Sequence, residues 1–268
     1  MLKKLPVVFI LLLAMALLAG CSSSQPATKK VIKVGSTSGP QAQLLEAAKP
    51  VLAKDGVEMQ IVEFSDYIKP NEALNFGELD ANSYQHKPFL DAQLKKETKF
   101  DLVAIGNTVI MPMGLYSKKI KKLEDLPEGA IATIPNDPSN GGRALLLMQK
   151  FGLIKLKPEA GILPSPLDIT ENPKKLKIVE VEAAQSPRAL DDATIVAVNT
   201  SYALKANLTP TKDAIALEDK DSPYTCVIVA RRKDKDREEL KKLVKAYQSP
   251  EVEQFIEKSF KDSVIKGW

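Results

Sequence analysis

The sequence predicts an α/β fold built as two lobes, with two chain crossings forming a hinge between them. Short β-rich apolar runs alternate with helical patterns over most of the length, the signature of strand–helix units with largely parallel sheets. The units fall into two series, the second opening near Ala130. A late strong strand, Tyr224–Ala230, then returns the chain to the first series. A chain that leaves one lobe, builds another and returns crosses twice, and two crossings make a hinge with a cleft between the lobes.

The first lobe is expected over residues 31–123 and 219–268. It reads as strand Val31–Gly35, helix Gln41–Lys54, strand Val57–Phe64, helix Pro70–Gly77 and a short strand near Ala81. Helix Pro88–Glu97 and strand Phe100–Ile105 follow, and Val109–Ser117 reads as an extended segment leading away. The second lobe, residues 124–218, reads as strand Ala130–Ile134, helix Pro138–Phe151, strand Leu176–Val181, a polar turn at Pro187 and strand Thr194–Val198. Helices Asp234–Gln248 and Pro250–Phe260 follow the returning strand. Ligands in such folds sit where strand ends and helix starts face each other.

Ahead of the lobes, Lys3 and Lys4 precede an apolar run from Leu5 to Leu18 that is short for a membrane span of about 20 residues. The run stops at Leu18-Ala19-Gly20-Cys21 and passes into Ser22-Ser23-Ser24-Gln25-Pro26. Those residues resemble a bacterial lipoprotein cleavage site, so residues 1–20 are expected to be a signal peptide and Cys21 the lipidated N-terminus of a flexible tether, 21–30. An ordinary signal peptide or an uncleaved anchor with an incidental cysteine is the plainer alternative. Either way the folded part lies outside the cytoplasm.

With Cys21 lipidated, Cys226 is the one remaining thiol, no internal disulfide can form, and the fold rests on its core. Apolar residues make up 44% of the chain, enough for that. The net charge of +4 includes the two leader lysines, and the remaining bases are interleaved with acids. This argues against nucleic acid as a partner.

Asn136-Asp137-Pro138-Ser139-Asn140-Gly141-Gly142-Arg143 follows a strand and opens a helix, with Asp137 as N-cap and Pro138 at the first helical position. Free amides there, glycines that admit a ligand to the backbone, and Arg143 one turn in would suit a carboxylate. An ordinary capped helix with a surface arginine is the plainer reading of these residues alone. Tyr67, Tyr84, His86 and Phe89 could wall an apolar slot for a thioether or alkyl side chain, or pack as core. His86 is the sole histidine, which excludes a histidine metal cluster. Asn199 ends an apolar strand, where an amide can serve both an ammonium and a carboxylate or can simply form a turn.

Enzyme signatures fail. Gly35-Ser36-Thr37-Ser38-Gly39 has threonine where a nucleophile elbow requires serine. There is no phosphate loop and no two-histidine zinc helix, and Cys226 lies in a strand without a sign of activation. The reading is therefore of a binding protein, with no enzyme activity and no cofactor.

A longer series of motifs adds to this. It runs through Asp66-Tyr67, Pro70-Asn71-Glu72-Ala73-Leu74, Gln85-His86-Lys87-Pro88, Ile105-Gly106-Asn107-Thr108 and Tyr116-Ser117-Lys118-Lys119-Ile120. It continues through Pro135-Asn136-Asp137-Pro138, Gly142-Arg143, Glu171-Asn172-Pro173, Leu190-Asp191-Asp192, Ser222-Pro223-Tyr224 and Lys266-Gly267-Trp268. On these residues the chain resembles the NlpA or MetQ family of methionine-binding lipoproteins over its whole mature length.

The resemblance implies a two-lobed periplasmic-binding-protein fold, type II-like, that captures methionine and delivers it to the permease and ATPase of an ABC importer. It implies a monomer held at the cell envelope by lipid on Cys21. It also implies that Tyr67, Tyr84, His86 and Phe89 surround the substrate side chain, that Asn140 lies at the same site, that Arg143 holds the carboxylate and that Asn199 fixes the polar end. Another apolar amino acid, a short methionine peptide, or a role as a surface interaction lipoprotein stand as alternatives.

Three departures bear on the ligand. Tyr84 and Phe89 stand where the family pattern carries phenylalanine and tyrosine, which moves a hydroxyl within the aromatic wall. The segment between Asp192 and Asn199 is shorter than the pattern. Cys226 replaces an asparagine that contacts the ligand, and cysteine cannot supply a carbonyl acceptor and an amide donor together.

Overall fold

A computed structural model describes residues 30–268. The leader, most of the tether and the lipidation site at Cys21 lie outside the described residues.

Two sheets organise the chain. The first contains β1 (Lys30–Thr37), β2 (Val57–Phe64), β3 (Ala81–His86), β4 (Leu102–Ile110), β12 (Thr225–Arg231) and β13 (Ile265–Lys266), in the order β13-β4-β12-β3-β1-β2. The second contains β5 (Gly114–Tyr116), β6 (Ile131–Pro135), β9 (Lys177–Val181), β10 (Ile195–Val198) and β11 (Ala216–Leu217), in the order β11-β5-β10-β6-β9. A separate two-stranded ribbon pairs β7 (Lys155–Leu156) with β8 (Ile169–Glu171), a hairpin the sequence reading did not assign.

The helices are α1 (Pro40–Lys54), α2 (Lys69–Phe76), α3 (Lys87–Lys96), α4 (Pro138–Lys150), α5 (Ser186–Ala189), α6 (Thr200–Lys205), α7 (Pro210–Asp213), α8 (Glu238–Tyr247) and α9 (Pro250–Phe260). Each long helix lays an apolar stripe on a sheet. Leu44, Leu45, Ala48 and Leu52 of α1 and Leu240, Leu243 and Tyr247 of α8 join Ile32, Val34 and Ile228 in one core. Leu145, Leu147 and Met148 of α4 join Ile134, Ile195 and Ala197 in the other.

The expectation of largely parallel sheets needs correction. In the first sheet β1 runs parallel to β2 and β3, but β12 is antiparallel to both β3 and β4. The cause is the return of the chain, because β12 comes back from the second sheet and inserts between two strands already laid down. In the second sheet β6 is parallel to β9 and β10, while β5 is antiparallel to β10 and β11.

The first crossing also falls earlier than residue 123. β4 extends to Ile110 and β5 is already bonded into the second sheet, so the chain changes sheet at Met111-Pro112-Met113. Proline has no N–H for a strand ladder and suits a break between sheets. The second crossing follows Leu217 beside the first, with Glu218 N donating to Met113 O at 3.0 Å. The turn expected at Pro187 is the short helix α5, with Pro187 in its first turn.

The C-terminal Lys266-Gly267-Trp268 closes the edge of the first sheet. Gly267 N donates to Thr108 O at 2.9 Å, and Trp268 packs edge-on to Tyr247, centroids 6.0 Å apart. Among the described residues no helix is long and apolar enough to cross a membrane.

Candidate functional site

The carboxyl ends of β1, β3, β6 and β10 point toward one another across the two sheets, and a narrow cavity lies between them. Gln41, Tyr67, Tyr84, Gln85, His86, Phe89 and Cys226 line it from the first-sheet side. Asn140, Arg143, Asn199, Thr200 and Ser201 line it from the second, and Met111 lies at the crossing. All eight residues singled out in the sequence as ligand-binding are thus brought together.

The first wall is aromatic. Tyr67 has ring centroids at 5.9 Å from Tyr84 and 6.0 Å from Phe89, and Phe89 meets Tyr84 edge-on at 6.2 Å. Tyr67 also touches Tyr202 of the opposite side at 4.8 Å. The Tyr84 hydroxyl is occupied within this wall, since Tyr84 Oη donates to Tyr67 O at 2.8 Å. Burial pushes the Tyr67 and Tyr84 phenols well above their ordinary value, so both stay protonated. Behind the wall, Asn71 Nδ2 donates to Gln85 Oε1 at 2.9 Å and Asn82 Nδ2 to Asn71 Oδ1 at 2.9 Å, a buried amide cluster that fixes β3 against α2.

His86 has a defined job. As N-cap of α3 its Nδ1 accepts from Phe89 N at 3.1 Å, which leaves the proton on Nε2, facing Asn140 Oδ1 at 3.1 Å. Burial, then the nearby Arg143 charge, hold its pKa down at about 3, and the ring is neutral. Asn140 bonds to both sides of the cavity. Its Oδ1 also accepts from Asn199 Nδ2 at 2.7 Å, and its Nδ2 donates to both oxygens of Asp137. Asn140 therefore clasps the two sides together beside the cavity that it lines.

The start of α4 has the expected N-cap, Asp137, with Pro138 in the first turn, but the end is less open than free amides and ligand-admitting glycines would make it. Asp137 accepts from Asn140 N at 2.8 Å, so the helix end is capped by its own aspartate instead of being open to an anion. Burial raises the Asp137 pKa against the lowering effect of those bonds. The two glycines serve packing and not a ligand. A Cβ on Gly141 would meet Pro135 O at 2.6 Å, and one on Gly142 would meet Pro164 at 3.0 Å.

Arg143 is 3% exposed and far from a surface residue. Its Nε donates to Glu218 Oε1 at 3.1 Å, and its NH2 donates to Met111 O at 2.9 Å and to Glu218 Oε2. The guanidinium stacks on Tyr224, 4.3 Å from the ring centroid. Those bonds use the Nε–H and both NH2 protons and leave NH1 for a ligand carboxylate. Glu218 also accepts from Met113 N at 3.1 Å, so one acid ties Arg143 to both crossings.

Cys226 pairs with His86 in the β3–β12 ladder and is buried in the wall. Burial pushes its thiol up to about 11, so it is protonated and unreactive. Sequence reasoning missed Gln41, Glu218 and Tyr224 as site residues. For Gln41 a signal existed: it opens a helix after a strand, at Gly39-Pro40, where Gly39 takes φ 98°, a backbone state reserved for glycine.

Two sheets, paired crossings and a lined cavity between strand ends define a hinged binding protein. The chain belongs to the NlpA lipoprotein family, whose model matches residues 32–268. It is 52% identical over 255 residues to the D-methionine-binding lipoprotein MetQ of Escherichia coli K12, covering 94% of this chain and 93% of that one. It is 49% identical to the protein of the same description from Yersinia pestis, covering 94% and 93%. Among solved structures, a nutrient-binding protein from Burkholderia cenocepacia bound to methionine is 54% identical with a TM-score of 0.87, covering 88% of this chain and 100% of that one. A crystal structure of the methionine-binding protein MetQ is 52% identical with a TM-score of 0.86, covering 89% and 98%.

Proposed function

We propose that this chain captures methionine between two hinged lobes and delivers it to the permease of an ABC importer, anchored at the cell envelope by lipid on Cys21. The observation that carries the reading is the division of the cavity. One wall is an aromatic slot and the other holds a buried guanidinium with free donors, which together match an apolar side chain and a zwitterionic end. The names of the Escherichia coli and Burkholderia cenocepacia proteins support methionine as the ligand.

In this reading the lobes are residues 30–111 with 219–268 and residues 114–217, hinged at the two crossings. Closure makes the contacts that join them. Tyr202 Oη donates to Ser65 O at 3.3 Å, Lys205 Nζ to Ser38 Oγ at 2.7 Å, and His86 Nε2 to Asn140 Oδ1 at 3.1 Å. The tyrosines and Phe89 enclose the thioether, Arg143 NH1 takes the carboxylate, and Asn199 takes the ammonium group. The protein acts as a monomeric carrier and turns nothing over.

Calorimetric titration tests this. Protein lacking residues 1–21, unfolded and refolded to strip carried ligand, is titrated with L-methionine, D-methionine and a panel of other amino acids. Submicromolar methionine binding is the expected result. Heat from another solute with none from methionine would reassign the cleft, and no heat from any amino acid would favour a surface interaction role.

A further inference from the structure

Two buried acceptor atoms in the cavity walls have no partner, Gln41 Oε1 on the first-sheet side and Asn199 Oδ1 on the second. Gln41 is 1% exposed, and its orientation follows from its neighbours. Its Nε2 lies 3.4 Å from Tyr84 O, 3.2 Å from Met111 Sδ and 3.6 Å from Cys226 Sγ. A backbone carbonyl only accepts, so the nitrogen must face Tyr84 and the oxygen is left over. An amide oxygen buried without a donor is costly, and folded proteins keep few of them. The two residues that carry these oxygens line the cavity with an arginine, a set that suits a group with several N–H donors close to a carboxylate. An α-ammonium is that group.

We propose that Gln41 Oε1 is a specificity-determining contact for the ligand's ammonium group, acting with Asn199 Oδ1, one acceptor from each lobe. The inference rests on the reading of the cavity as an amino-acid site and deepens it. Gln41 replaces what Cys226 cannot provide. Its amide N–H groups lie against the sulfurs of Cys226 and Met111 and against Tyr84 O, so the side chain is held in place while its oxygen serves the ligand. Because the two acceptors sit on opposite lobes, the ammonium group is fully bonded only when the cleft is closed. A ligand without that group forfeits both contacts.

The test compares L-methionine with its desamino analogue, 4-(methylsulfanyl)butanoate, by calorimetry on refolded wild-type protein and on Gln41→Met, an unbranched replacement of similar length. Removing a hydrogen bond to a charged group should weaken L-methionine binding about tenfold to a hundredfold. Binding of the desamino analogue should change by less than about twofold. Unchanged methionine binding in the variant would overturn the proposal, as would an equal loss for both ligands, which would mean a packing role alone. If wild-type protein gives no heat with methionine, the functional reading itself fails. A crystal structure of methionine-loaded wild-type protein gives a second check that needs no variant. The ligand nitrogen should lie within about 3.2 Å of Gln41 Oε1, and a separation beyond about 4 Å would overturn the proposal.

Discussion

On the first-sheet side of the cleft, rings hold one another and several of the polar groups around them bond internally, as with Tyr84 Oη on Tyr67 O and the Asn71–Asn82–Gln85 cluster. On the second-sheet side, Arg143 is clamped by Glu218 with donors to spare, and Asn199 keeps an acceptor unpaired. The contrast has a physical sense. Apolar recognition works through a slot whose shape is already fixed, whereas recognition of charge needs groups that are positioned but not neutralised. Among the residues that line the first-sheet side of the cavity, Gln41 is the one with an unpaired buried acceptor, and it stands next to Cys226.

The contrast breaks most severely at Arg143. Arg143→Met should lower methionine affinity by more than about a hundredfold through loss of charge-assisted bonds. It should also cost about 1–3 kcal/mol of stability, because Glu218, partly buried, loses its partner. Titration and urea unfolding read the two effects separately. Phe89→Leu tests the other wall and should act on the side-chain end alone. Methionine should weaken by about tenfold while the weaker binding of alanine stays nearly unchanged, since a ring contact is lost and the polar contacts are not.

Cys226→Asn sharpens the exception. With Gln41 in place, the introduced amide should change methionine affinity by less than about threefold. In the Gln41→Met background it should recover about tenfold. A large gain in the wild-type background would mean that Gln41 does not already serve as the amide contact on that side.

The smallest effect is at His86. As the one histidine of the chain it gives a single set of imidazole resonances, and these should show an Nε2-protonated neutral ring with no titration between about pH 5 and 8. The sign follows from linkage. The folded pKa of about 3 lies below the ordinary 6.5, so the unfolded chain takes up the proton first. His86 therefore leaves stability intact above about pH 6.5 and lowers it progressively as pH falls from there toward 3. A titration midpoint near the ordinary value would contradict the burial of this ring against Arg143.

The same two walls show what a sequence makes visible. Tyr67, Tyr84, His86 and Phe89 lie within one short stretch, and their clustering at a strand end was readable as a slot. Arg143 was readable because a cap, a proline and two glycines frame its helix, although the glycines turned out to serve packing against Pro135 and Pro164. Glu218 was not readable, since its partner is 75 residues away and nothing near it in the chain marks an acid at a crossing. Gln41 meets Cys226 across 185 residues, a pairing that exists only because β12 returns antiparallel beside β3. The strand directions were missed for the same reason. Local patterning tells a strand from a helix, but the insertion of a late strand is a long-range event.

The most direct test is a crystal structure of the refolded chain loaded with L-methionine, with the ligand sulfur located by its anomalous signal. The account predicts the sulfur among Tyr67, Tyr84 and Phe89 and the carboxylate on Arg143 NH1. A sulfur lying against Arg143 and Asn199, with the carboxylate turned toward the rings, would contradict it.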